Sequence, residues 1–394
     1  MPELPSPKSA SWFAFLALSL AIAGCSSSRG LTPQVPSEED SAVTFPTKGA
    51  VYVSTADGIR VYSPQAAALL TTIKIGTNAP SAMTFDRFGV LYVANAASVT
   101  AYGPGKRTLL QTFTRGINTP QALAVRSSLY VANHAASSVT IYAPSSGKLQ
   151  ATITKGVHLP TAIAFDPSGN LYVADGAVGS FSSSQAPVEV YPPHASSPAR
   201  RITIDGYYLN GVPYVRALAT DSRGRLYASV TDISDYGSIA GRVAGSQVLA
   251  FRPGTSLVQF RFDPGRDAGL DDDDSGDFNT STGDLAFDAS GNLYVAASVC
   301  TGYNNSSSSY STCTAYRGAV AEYDVRTRKA ARIFTALFSP RSLAIDRAGT
   351  LYVLDCSDTT CTGSKGVLDV YPAGQTTPMR AVTINQPHNV VTEP

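Results

Sequence analysis

The residues best suited to chemistry are spread unevenly along the 394-residue chain. The densest group is acidic: Asp267, then Asp271-Asp272-Asp273-Asp274-Ser275-Gly276-Asp277. Asp271, Asp273, Ser275 and Gly276 follow a DxDxSG spacing. That spacing points alternate oxygens at one centre, and the glycine permits the sharp turn of a calcium-binding loop. With Asp277 they form a candidate calcium site, and Ca2+ is the only cofactor the sequence suggests. Thr282 stands where a bidentate Glu belongs, a departure that Asp284 would have to make good. The alternative is a solvated acidic loop. Arg216 and Arg341 offer a second kind of chemistry, since two guanidinium forks can clamp an anion bidentately.

Catalytic signatures are missing. There is no GxSxG elbow and no HExxH pair. Gly103-Pro104-Gly105-Lys106 lacks the rest of a phosphate-binding loop. The histidines are four, His134, His158, His194 and His388, and His134 and His158 have no partner visible in sequence. Lys plus Arg is 30 and Asp plus Glu is 29, giving a net charge of +1. A nucleic-acid binder needs a basic field, so no nucleic-acid partner is expected. Charged residues are 15% against 43% hydrophobic, which argues for a packed fold rather than disorder.

Trp12 to Ala23 is an almost unbroken apolar run preceded by Lys8. It is shorter than the roughly 20 residues that span a bilayer. It fits the apolar region of a secretory signal. The run ends at Ile22-Ala23-Gly24-Cys25. This resembles a bacterial lipoprotein signal, in which small residues admit the peptidase and the Cys is lipidated. The resemblance implies a signal peptide over 1–24 and a lipid on Cys25. Residues 25–40 then form a tether, Ser- and Pro-rich without apolar periodicity. It also implies a bacterial cell-envelope location, at the outer membrane or cell surface, with the membrane as a partner through the anchor.

What must position any site is a repeat. A Leu-Tyr-Val-like triplet recurs with Tyr52, Tyr92, Tyr130, Tyr172, Tyr227, Tyr294 and Tyr352. A Val-x-x-Tyr-like phrase follows, ending at Tyr62, Tyr102, Tyr142, Tyr191, Phe251, Tyr323 and Tyr371. An apolar residue recurs after each, from Ile73 to Val382, and an Ala-apolar-Ala-like phrase precedes six triplets. These short, alternating segments read as four β-strands per repeat. Seven repeats of that kind predict an all-β, seven-bladed β-propeller of four-stranded antiparallel blades over 41–394. Phrases such as Gly169-Asn170-Leu171-Tyr172-Val173-Ala174-Asp175 resemble NHL and YVTN propeller repeats.

Ring closure has two candidates, Ser41-Ala42-Val43-Thr44-Phe45 and Pro387-His388-Asn389-Val390-Val391. The C-terminal strand is expected to enter the first blade. If the strands run a to d from the channel outward, the a–b and c–d turns share one face. Those turns are short and regular, with Asp86, Asp166, Asp221, Asp288 and Asp346 followed by Gly. Arg326, Arg328, Lys329 and Arg332 fall there and read as solvated charge. Every insertion falls on the other face, mostly in blades four to seven, and long loops on rigid scaffolds commonly carry function.

Cys300, Cys313, Cys356 and Cys361 lie in those insertions. They allow three pairings, and export favours disulfides over metal. Local pairs would staple one loop each. Strand a is expected to place Ser81, Gln121, Thr161, Arg216, Gly283, Arg341 and His388 around the channel mouth. Asn95, Asn133, Asp175 and Asp355 follow the strand-b Tyr as further candidate ligand-binding groups. The reading is a monomeric, non-enzymatic, envelope-anchored binding or interaction module for an unknown protein or small-molecule ligand. The alternative is a metal-dependent lactonase- or lyase-like enzyme, as in streptogramin lyases and gluconolactonase-like propellers.

Overall fold

The computed structural model describes residues 48–394 apart from 75, 78–79, 177–184, 206–210, 237–238, 271–279, 305–311 and 357–364. All of them belong to one compact unit, Ser37–Pro394. The unit is a seven-bladed β-propeller. Seven four-stranded antiparallel sheets form, and each is built from strands adjacent in sequence except the one that closes the ring. In blade four the order from the channel outward is Pro160–Phe165, Leu171–Asp175, Gln185–Tyr191 and Arg200–Asp205. Blade one takes its inner strand from the C-terminus. Pro387–Thr392 pairs with Val51–Thr55, with Val53 opposite Val390, and Gly58–Tyr62 and Leu69–Ile73 complete the sheet. Closure by the C-terminal strand is therefore as the sequence suggested, while 41–45 lies outside the described residues.

The repeat phrases are explained by packing between blades. The triplet Tyr of one blade meets the inner-strand Phe of the next: Tyr52 with Phe85, Tyr130 with Phe165 and Tyr227 with Phe287, at 4.8–5.1 Å between ring centroids. Outer-strand aromatics likewise meet the next blade's strand-c Tyr, as Phe113 meets Tyr142 and Phe334 meets Tyr371. Such pairs add about 0.5–1.5 kcal/mol each beyond area burial. Their hydroxyls need partners once buried. Tyr172 and Tyr352 donate to Asp166 and Asp346, and Tyr142 and Tyr191 donate to the Arg115 and Lys155 carbonyls of the preceding blade.

The same aspartates build the plain-face turns. Asp346 Oδ1 accepts from the amides of Ala348 and Thr350, both at 2.9 Å, and Asp221 Oδ1 does so from Arg223 and Arg225. Gly349, at φ 81°, completes its turn in a conformation that side chains disfavour.

On the other face the insertions of blades five and six depart from the expectation of loops. They are largely continued strands. Leu226–Tyr236 pairs with Ile239–Phe251, and Leu293–Asn304 with Thr312–Asp324, as two hairpins extending well beyond the core. Paired strands satisfy backbone groups that a long loop would leave to water. Arg332 also departs from its reading as solvated charge. It is half-buried and paired with the buried Glu322.

Candidate functional site

All seven residues of the expected polar ring line one central cavity of about 380 Å3: Ser81, Gln121, Thr161, Arg216, Gly283, Arg341 and His388. Their common position has a local cause. In six blades the ladder between the two inner strands skips at this residue. Gln121 falls in the skip between Pro120 and Ala122, Thr161 between Pro160 and Ala162, and Arg341 between Pro340 and Ser342. Arg216 sits between Val215 and Ala217, His388 is passed over opposite Ser54 and Thr55, and blade six skips both Gly283 and Asp284. A bulge leaves its extra residue unpaired and re-aims its side chain. Here it aims them at the axis. The double skip in blade six adds Asp284 to the cavity wall.

Two ring members are spent on structure. The Ser81 hydroxyl donates to the Pro120 carbonyl at 2.6 Å, and Thr161 donates to the Val215 carbonyl at 2.9 Å, each tying a blade to its neighbour. Arg216 is exposed and stacks over Tyr214 at 5.0 Å. Arg341 and His388 are half-buried. Burial lowers the His388 pKa, which favours the neutral ring near pH 7.

Among the described residues Asp284 is the only carboxylate on the cavity wall. It accepts from the Leu285 and Leu343 amides at 2.9 and 3.1 Å and from the Ser342 hydroxyl at 3.3 Å. Burial raises its pKa against the lowering effect of those bonds. Ser342 in turn accepts from Asn389 Nδ2 and the Val390 amide. The cavity thus holds two permanent cations and one well-satisfied carboxyl, a field that suits an anion. Ser342 and Asn389 were not singled out in the sequence. The signal for them was their place just after Arg341 and His388, at the end of each skip.

Asn95, Asn133, Asp175 and Asp355 do not line the cavity. They are buried and bonded locally. Asn133 Oδ1 accepts from the Asn118 amide, Asp175 Oδ1 from His158, and Asp355 from Phe338 and Ser339. In each case the carboxyl or amide group fastens the connection that leads into its blade's inner strand. Asn95 and Asn133 also donate to Thr100 and Thr140 across the hairpin. Burial pushes Asp175 up to about 7 and Asp355 up to about 6.

The candidate calcium residues Asp271, Asp273, Ser275 and Asp277 lie outside the described residues, as does Cys25. Among the described residues no group of three or more His, Cys, Asp or Glu is placed to hold a metal. No helix among them is long and apolar enough to cross a membrane. Cys300 and Cys356 are disulfide-bonded. The side chain of Cys313 and all of Cys361 lie outside the described residues, so the pairing is not fixed.

No family model matches the chain, and no curated protein matches it. Solved structures do. A Bacteroides fragilis protein provisionally assigned as a 6-phosphogluconolactonase aligns at 16% identity and TM-score 0.56, covering 90% of this chain and 99% of that one. Kuenenia stuttgartiensis hydrazine synthase aligns at 16% identity and TM-score 0.51, covering 76% and 79%. A computationally designed protein aligns at 14% identity and TM-score 0.52, covering 87% of each. Likeness at this identity establishes the propeller fold and nothing of activity.

Proposed function

We propose that the protein is an envelope-anchored propeller lipoprotein of the NHL/YVTN repeat type. In this reading it binds an anionic ligand at the channel mouth, framed by the elaborated face of blades four to seven. The observation that carries this is the convergence of Arg216, Arg341 and His388 on one cavity whose single carboxylate among the described residues, Asp284, is already satisfied. The lipid on Cys25 rests on the sequence pattern alone. Local pairs Cys300–Cys313 and Cys356–Cys361 would brace the loops around the mouth. The first of these is supported by the shared hairpin, in which Cys313 stands opposite Tyr303 and Cys300 opposite Tyr316.

Calorimetry of the purified protein against citrate, inorganic phosphate and 6-phosphogluconate tests the binding reading. We expect binding of at least one anion, weakened at least tenfold in Arg216→Ala and Arg341→Ala. Absence of heat for every anion, or binding unchanged in both variants, would reject it. Hydrolysis of 6-phosphogluconolactone by the same preparation would instead favour the lactonase-like alternative.

A further inference from the structure

The plain face differs from the channel mouth in charge and in apolar exposure. Its turns carry exposed basic residues in blades two, three, five, six and seven, among them Arg87, Lys106, Lys148, Arg252, Arg328 and Arg347. Its carboxylates are drawn inward, as the turn aspartates show. The exposed carboxylates among the described residues are Asp57, Asp205, Asp263 and Asp267. Chain direction puts all four on the opposite face: Asp57 in a b–c turn, Asp205 at the end of an outer strand, Asp263 and Asp267 in a d–a connection.

Most of the exposed large apolar side chains among the described residues lie on the plain side, with Leu159 and Phe338 on the other. Phe88, 69% exposed, caps the first turn of blade two. Leu69 and Leu110 open the outer strands of blades one and two, and Leu257 and Met379 end c–d turns, so all four also face this side. Arg87 lies 4.7 Å over the Phe88 ring. The chain enters the ring here too, through Lys48 to Ala50, with the Ala50 carbonyl bonded to the Glu393 amide.

We infer that the plain face is a membrane-docking surface that rests on anionic lipid headgroups and turns the channel mouth away from the bilayer. Apolar side chains interleaved with Lys and Arg suit the headgroup boundary, where the stems bury and the charges stay wet. An anionic leaflet attracts each basic residue held within a Debye length of it. Both faces carry exposed Lys and Arg, but among the described residues only the channel side carries exposed carboxylates, and that difference would orient the ring before contact. This inference does not depend on lipidation of Cys25 or on ligand binding at the channel mouth.

The test uses the full chain with Trp12, its only tryptophan, replaced as Trp12→Phe. Phe88→Trp and Phe338→Trp then place single reporters on the plain and elaborated faces, both at exposed positions. The proteins are added to phosphatidylcholine vesicles with and without phosphatidylglycerol, using brominated lipids as quenchers. Attachment through the N-terminal apolar run would be the same for both vesicle types, so only face contact depends on phosphatidylglycerol. We expect the Phe88→Trp reporter to be quenched and blue-shifted on anionic vesicles alone, and high salt to reverse this. The Phe338→Trp reporter should stay unquenched. A triple Arg326→Glu, Arg328→Glu, Lys329→Glu variant should lose the quenching at position 88 at least about tenfold in lipid concentration. Equal quenching of both reporters, quenching indifferent to phosphatidylglycerol, or none at position 88 would overturn the inference.

Discussion

On the plain face, Asp86, Asp221 and Asp346 spend their carboxylates on the amides of a short turn. On the elaborated face, Asn133, Asp175 and Asp355 spend their side-chain oxygens on the amides of the connection entering the inner strand. The two sets of residues are alike in type and periodicity, and both are structural. What differs between the faces is what surrounds them. The plain face stops at its turns, while the other extends into hairpins and gathers the bulged residues at the axis. Regular spacing therefore marks the framework on both faces. Candidate function lies where the ladder skips.

The sharpest way to break this comparison is to remove the strand that serves both faces. Ending the chain after Asn385 deletes Pro387–Thr392, exposes the ladder edge of Val51–Thr55 and uncovers a core that includes Val390. It also removes His388 from the cavity. An open ring leaves blade one with three strands and an unpaired inner edge. We expect loss of cooperative unfolding and rapid proteolysis of the truncated chain. A truncated protein whose melting temperature stays within about 5 °C of the parent would show that closure contributes little.

Much of the framework was legible in the sequence. The triplet Tyr and the Asp six residues before it recur because one donates to the other, as Tyr172 does to Asp166 and Tyr352 to Asp346. The ring of seven axial residues was also legible, since alignment to Thr161 finds them by position. Two things were hidden. A ladder skip moves a residue between faces without changing its spacing from the Tyr, so spacing does not mark the double skip that brings Asp284, readable as an inner-strand carboxylate, to the wall beside Gly283. Burial of Asn95, Asn133, Asp175 and Asp355 was hidden as well. A polar residue at a strand end reads as a ligand-facing group until the connection that covers it is seen. In blades five and six, hairpin and loop could not be told apart by spacing alone, because both add residues to the same connection.

Asp175 sharpens the comparison through pH. Its Oδ2 is buried with no hydrogen-bond partner in the structure, and desolvation raises its pKa to about 7. The folded state therefore holds a proton that the unfolded chain, with an ordinary carboxyl, releases near pH 4. The stability this contributes is fully present below about pH 4 and is lost as pH rises through about 7. The shift corresponds to roughly 4 kcal/mol as an upper bound. We expect the melting temperature to fall between pH 4 and 7, then level off, with a smaller fall in Asp175→Asn. Asp355 and Asp369, each raised to about 6 by burial, act in the same direction. A parent and variant with parallel pH profiles would show that Asp175 is ionised throughout.

The smallest stability effect separates the axial residues from the framework. Arg216 is exposed, lies in a ladder skip and makes no backbone pairing that holds a blade. Its stacking on Tyr214 is worth about 0.5–1 kcal/mol at an exposed site. Two like charges facing one cavity oppose that gain, since Arg341 shares the wall. Denaturant unfolding of Arg216→Ala should therefore fall within about 0.5 kcal/mol of the parent. A loss above about 2 kcal/mol would place Arg216 in the framework. It would also mean that a skip in the ladder is not sufficient to release a residue for function.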